Sequence, residues 1–157
     1  MPLLVRVLAG NSVTSTIVLS CLNTADATRL RCLHPAMPAV VARVPWSDLG
    51  TDVVDAARWR TCFPAAVRAW LTERAANGLL LASKPALVAL DGVAVLVFEA
   101  SPGVTDDLLL RLPTSLHTLN VRYCRNLTGD ASFAHLTALT LLYCSGTAVL
   151  SKRADGL

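Results

Sequence analysis

The chain is 157 residues long, 54 % apolar and 16 % charged, with a formal net charge of +3. That apolar share argues against a disordered chain. The scattered arginines, with no basic run and no interleaved aromatics, give none of the footprint expected of a nucleic-acid-binding surface.

At the N-terminus, Arg6 precedes "VLAGNSVTSTIVLSCL". A secretory leader needs an uninterrupted apolar core, and Asn11, Ser12, Thr14, Ser15 and Thr16 interrupt this one. The stretch is therefore expected to be an ordinary first helix. Thr14–Trp46 predicts two or three short helices, with Thr24 or Asp26 capping the second and Pro35 and Pro38 breaking it. A further helix is expected around Asp52–Trp59, acids early and arginines late as the helix dipole favours. "FPAAVRAWLTERAANG" (63–78) reads as another, with Pro64 in its first turn and Asn77-Gly78 as its stop. "LLLASKPALVALDG" (79–92) reads as a strand-like link. The window 77–98 is the most apolar of the chain, but Lys84, Pro85, Asp91 and Gly92 break it, so no membrane span is predicted.

From Val93 the chain nearly repeats itself. "VAVLVFEASPGV" from Val93, "LHTLNVRYCRNL" from Leu116 and "LTLLYCSGTAVL" from Leu139 align with a constant shift of 23 residues and no gap. The corresponding positions are Val93, Leu96, Phe98, Ser101, Val104, then Leu116, Leu119, Val121, Cys124, Leu127, then Leu139, Leu142, Cys144, Thr147, Leu150. Alternation within each copy is the period of a short strand. One such strand cannot bury its apolar row alone, so copies are expected to stack as a parallel sheet. Ser101, Cys124 and Thr147 then fall where the chain turns off the strand, and small polar side chains there can bond backbone groups that the sheet leaves free. Cys144 is expected as core filler. The first return, Thr105–Ser115, opens with a threonine and two acids and predicts a short helix. The second, Thr128–Ala138, predicts an irregular or 3₁₀ path.

This pattern resembles the leucine-rich repeat family, with Cys124 similar to its cysteine-containing subtype. The resemblance covers residues 93–157, as copies 93–115, 116–138 and an incomplete 139–157. It implies an α/β fold: an N-terminal helical region followed by a short solenoid whose parallel sheet forms a concave face. The residues on that face are Val95, Val97, Glu99, Thr118, Asn120, Arg122, Tyr123, Leu141 and Tyr143, and its implied ligand is a protein. The register places Glu99 beside Arg122 and stacks Val97, Asn120 and Tyr143 as one row and Ala100, Tyr123 and Gly146 as another. The two tyrosines fit partner contact or local packing. The last copy stops at "SKRADGL" without a capping unit, so the chain is expected to be a fragment of a longer repeat protein, or its end to pair with another molecule.

Thr14–Trp46 resembles an F-box motif: an apolar helix with Leu19 and Leu22, an Asn-Thr-Ala-Asp turn, "ATRLRCLHPAM", a further helix and a closing Trp46. The family's Leu-Pro opening and Trp-Arg cluster are absent. The resemblance implies a Skp1-type adaptor bound through Val18, Leu19, Leu22 and Leu30, with the repeats selecting proteins for ubiquitylation. The residues leave a second reading open, in which 1–50 only cap the first repeat; in either reading 51–92 form a helical linker leading to the first rung.

No catalytic constellation is found. His34, His117 and His135 have no partner at metal spacing. The five cysteines contain no CxxC pair; the default is free thiols in a reducing compartment. There is no G-x-S-x-G and no Gly-rich phosphate loop. Asn126-Leu127-Thr128 is a glycosylation sequon, relevant only in a secreted chain. The expectation is a cytoplasmic recognition module without enzymatic activity, metal or cofactor; a secreted or surface-exposed scaffold is the alternative.

Overall fold

The computed structural model describes residues 3–10, 13–81, 90–128 and 133–148. Four short helices come first: α1 (Leu3–Ala9), α2 (Val13–Ser20), α3 (Thr24–Arg31) and α4 (Met37–Ala42). The cap of α3 is Asn23, neither Thr24 nor Asp26. Its Oδ1 accepts from the Asp26 N–H at 2.8 Å. Thr24 is the first helical residue, and its N–H and hydroxyl are both held by the Asp48 carboxylate, at 3.0 and 3.1 Å. Pro38 lies in the first turn of α4, where its missing N–H costs nothing.

Next come β1 (Asp52–Val53), α5 (Ala56–Cys62), β2 (Arg68–Leu71) and α6 (Glu73–Leu81). Three expectations are corrected here. Asp52 and Val53 are strand, and the helix after them starts at Ala56, with the Asp55 carboxylate accepting from the Arg58 N–H at 2.9 Å. Residues 63–78 are not one helix. Ala69 and Leu71 are buried while Arg68 is exposed and Trp70 half-buried, the alternation of a strand. Thr72 then opens α6, its carbonyl accepting from Ala76 N–H at 3.0 Å and its hydroxyl from Ala75 N–H at 3.4 Å. α6 runs through Asn77-Gly78 to Leu81, so Leu79–Leu81 is helix rather than link, and most of the expected link, 82–89, lies outside the described residues.

The remaining elements are β3 (Val95–Val97), α7 (Asp106–Leu109), β4 (Thr118–Asn120) and β5 (Leu141–Tyr143). α7 is the short helix expected in the first return, with the Thr105 hydroxyl accepting from the Leu108 N–H. In the second return, 129–132 lie outside the described residues; the described remainder is non-helical, with Leu136 buried and Phe133 packed on the core.

Among the described residues the five strands form one parallel sheet in the order β1-β2-β3-β4-β5. β3 and β4 pair Leu96 with Leu119, and β4 and β5 pair Leu119 with Leu142. This is the register the repeat predicts. The sheet also extends upstream into the stretch expected to be a helical linker: β2 pairs Ala69 with Leu96 and β1 pairs Val53 with Leu71, at intervals that differ from the repeat. The inward row Ala69, Leu96 and Leu119 is buried, as are the paired Val53 and Leu71, together with Val93, Leu116, Phe98, Val121, Leu108 and Leu109. Burying each large aliphatic side chain contributes roughly 1.5–3 kcal/mol.

The helical region is joined to the sheet by aromatic and backbone contacts. Trp46 packs edge-on to Phe63 at 5.9 Å, and its Nε1 donates to the Val41 carbonyl at 2.8 Å. The Trp46 carbonyl accepts from the Val67 N–H just before β2, and the Arg31 guanidinium donates to the Cys62 carbonyl at 2.6 Å.

Candidate functional site

The face opposite the core is built two residues at a time. One row holds Arg68, Val95, Thr118 and Leu141, and the next holds Trp70, Val97, Asn120 and Tyr143. Of the expected contact residues, Val95, Thr118 and Asn120 are half-buried, and Leu141 and Tyr143 are exposed. Val97 is only 7 % exposed, so it serves packing more than contact. Arg68 and Trp70 extend the same two rows and were missed in the sequence. The buried Ala69 and Leu71 that flank them carry the alternation that identifies the strand.

Beyond β3, β4 and β5 the same turn recurs. Ser101 N–H donates to the Phe98 carbonyl, Cys124 N–H to Val121 and Thr147 N–H to Cys144, at 3.1, 3.2 and 3.3 Å. In each turn one residue takes left-handed backbone: Ala100 at φ 54°, Tyr123 at φ 59° and Gly146 at φ 73°. Ala and Tyr hold this conformation at a cost of roughly 1–2 kcal/mol, so the surrounding packing must impose it. Part of that constraint is visible in the third small residue of each turn. The Cys124 thiol donates to the Phe98 carbonyl at 3.0 Å, and the Thr147 hydroxyl to the Cys144 carbonyl at 2.6 Å. The buried Ser101 hydroxyl has no such partner. Asn120 Oδ1 adds an acceptor for the Arg122 N–H at 3.0 Å. Cys144 is half-buried and packs on the core, as filler.

Glu99 and Arg122 sit on these turns rather than on the pleated strands, and this changes their pairing. The backbone ladder does run on, with Ala100 N–H donating to the Arg122 carbonyl at 2.8 Å. Among the described residues, however, no ion pair joins the two side chains. The Arg122 guanidinium lies over the Tyr143 ring instead, 5.0 Å from its centre. An exposed ion pair is worth at most about 1 kcal/mol, so a ring face competes on equal terms. Tyr123 is 55 % exposed, and its ring lies against Gly146 so closely that a β-carbon there would run into Cδ1. Ala100, Pro102, Tyr123 and Arg125 line a hollow of about 530 Å³ beside this turn.

Burial pushes the Cys124 thiol up, with Glu99 adding to the rise and a backbone hydrogen bond from Ser101 opposing it. The thiol therefore stays protonated and inert. Among the described residues, no group of three His, Cys, Asp or Glu is placed to hold a metal ion. No helix among them is long and apolar enough to cross a membrane.

The four residues of the F-box-like motif separate. Leu19 is 2 % exposed and belongs to the core, and Leu22 and Leu30 pack against it. Val18 is exposed. So are Val13 and Ile17, one turn apart on α2, which makes an outward apolar strip that the sequence reading did not pick out. Their spacing of four residues was the available signal.

No protein-family model, no curated protein and no solved structure matches this chain.

Proposed function

We propose that the chain is a leucine-rich-repeat-type solenoid, without enzymatic activity or cofactor, whose open sheet face recognises a protein partner. One observation carries the reading: strands β3, β4 and β5 share a single register, and each is followed by the same left-handed turn. A sheet so repeated offers a regular surface on which side chains vary without disturbing the fold. Its outward rows mix half-buried aliphatic, polar and aromatic side chains, as protein interfaces do.

The helical region extends this proposal in one of two directions. Exposed Val13, Ile17 and Val18 on α2 favour docking of a Skp1-type adaptor, which makes the chain a cytoplasmic substrate receptor of a ubiquitin ligase. Buried Leu19, with Leu22 and Leu30 packed inward, favours a cap that shields the first strands of a stand-alone scaffold, in the cytoplasm or on a surface. Purified Skp1-type adaptor decides between them. Capture by the full chain, lost in Ile17→Glu while the fold is kept, supports the receptor. No capture leaves the cap.

Recognition on the sheet face is tested separately. Thr118→Arg together with Leu141→Arg places two long cations on one outward row. Partners recovered by proximity labelling with the wild-type chain should be lost with this variant at an unchanged melting temperature. An unchanged partner set would remove the sheet face as the binding surface.

A further inference from the structure

We propose that the turns at the carboxyl ends of β4 and β5 form a subsite for an acidic segment of the protein partner, built from Arg122, Tyr123, Arg125 and Tyr143. The inference rests on the recognition reading and specifies its chemistry.

Three observations converge here. Arg122 and Arg125 are both exposed, and among the described residues neither is neutralised by a carboxylate. The centre of the Arg122 guanidinium lies 5.0 Å from the centre of the Tyr143 ring, and a guanidinium held by a ring still has N–H groups with which to donate to a carboxylate. Further along the same turn segment, Arg125 supplies the charged side chain lining the hollow of about 530 Å³, whose other walls are Ala100, Pro102 and the 55 % exposed Tyr123. Tyrosine and arginine together are the residue types that concentrate binding energy at interfaces. Strain points to the same place: Tyr123 keeps left-handed backbone where its equivalent in the next turn, Gly146, does so freely. Strained residues persist where the surroundings over-determine them, and they cluster at binding sites.

The occupant is peptide rather than nucleic acid because of Glu99. It is exposed on the preceding turn, on the rung beside Arg122, and would face a continuous phosphate backbone with a repelling charge. A peptide with spaced acids can place them on Arg122 and Arg125 and set a neutral residue against Glu99.

The test is an NMR titration of the full chain, labelled with nitrogen-15, with a five-residue peptide alternating glutamate and glycine. A lysine–glycine peptide and a short oligothymidylate serve as the other arms. The expected result is shifts confined to the segments around 122–125 and 143–146 with the glutamate peptide, none with the lysine peptide, and weakening by salt. Arg122→Gln with Arg125→Gln should weaken binding about tenfold or more, with the rest of the spectrum unchanged. Shifts elsewhere, no shifts, insensitivity to the double variant, or tighter binding of the oligothymidylate at the same residues would each overturn the subsite. If Thr118→Arg with Leu141→Arg still abolishes partner recovery, the recognition reading stands without the subsite. If neither experiment responds, both fall.

Discussion

Leu119 and Leu142 occupy equivalent places on adjacent strands, paired directly in the β4–β5 register, yet one is fully buried and the other 38 % exposed. Leu96, on the other side of Leu119, is also fully buried. The pattern in the sequence is the same three times; what differs is the number of neighbours. β4 has a strand on each side, and β5 is paired only with β4 among the described residues. A repeated sequence therefore specifies where a side chain points, while its energetic weight comes from what lies against it. Val95, Thr118 and Leu141 show the same gradient on the outward row, half-buried on the inner strands and exposed on β5.

The largest effect expected from this contrast is that of a charge. Leu119→Asp buries an unpaired carboxylate between two strands, a cost of several kcal/mol against a typical total stability of about 5–15 kcal/mol. The ladder should unfold, seen as loss of a cooperative thermal transition. Leu142→Asp should keep that transition, since its carboxylate reaches water. Truncation sharpens the comparison: Leu119→Ala should cost about 2–5 kcal/mol in denaturant unfolding and Leu142→Ala under about 1 kcal/mol. Equal costs would mean that β5 is covered in solution.

The turns allow a second comparison at a smaller scale. Ala100 and Gly146 hold the same left-handed position, one with a β-carbon and one without. Gly146→Ala should cost about 1–2 kcal/mol from the backbone alone, and more because the new methyl meets the Tyr123 ring. Combining it with Tyr123→Ala should recover the steric part in a double-mutant cycle. Ala100→Gly should change stability little, since relief of the left-handed strain is offset by the freer unfolded chain.

The two halves of the molecule were unequally legible. In 93–148, three copies in one register gave the strand positions, the pairing and the inward row, because a repeat carries its own alignment. In 52–81 there was no second copy to compare. Val67, Trp70 and Leu71 satisfy a helical spacing as well as a strand next to a helix, and Pro64 and Asn77-Gly78 read as helix punctuation. The deciding features, pairing of Ala69 with Leu96 and Thr72 as the start of α6, depend on residues far away in the chain. The candidate surface divides similarly. Its rows followed from the register, but Val97 is covered and Arg122 is turned onto Tyr143, and side-chain choices of that kind lie below the resolution of a spacing rule.

Arg122 gives the smallest expected effect. Its guanidinium is exposed and its ring partner half in water, so the contact contributes about 0.5–1 kcal/mol at most. The backbone bonds of the turn, Arg122 N–H to Asn120 Oδ1 and Ala100 N–H to the Arg122 carbonyl, are unaffected by shortening the side chain. Arg122→Ala should therefore leave the melting temperature almost unchanged, while Leu119, three residues earlier on the same strand-to-turn segment, tolerates nothing polar. A large drop for Arg122→Ala would show that its side chain packs into the molecule. The outward and inward rows of β4 would then be exchanged, and every contact assigned to the open face with them.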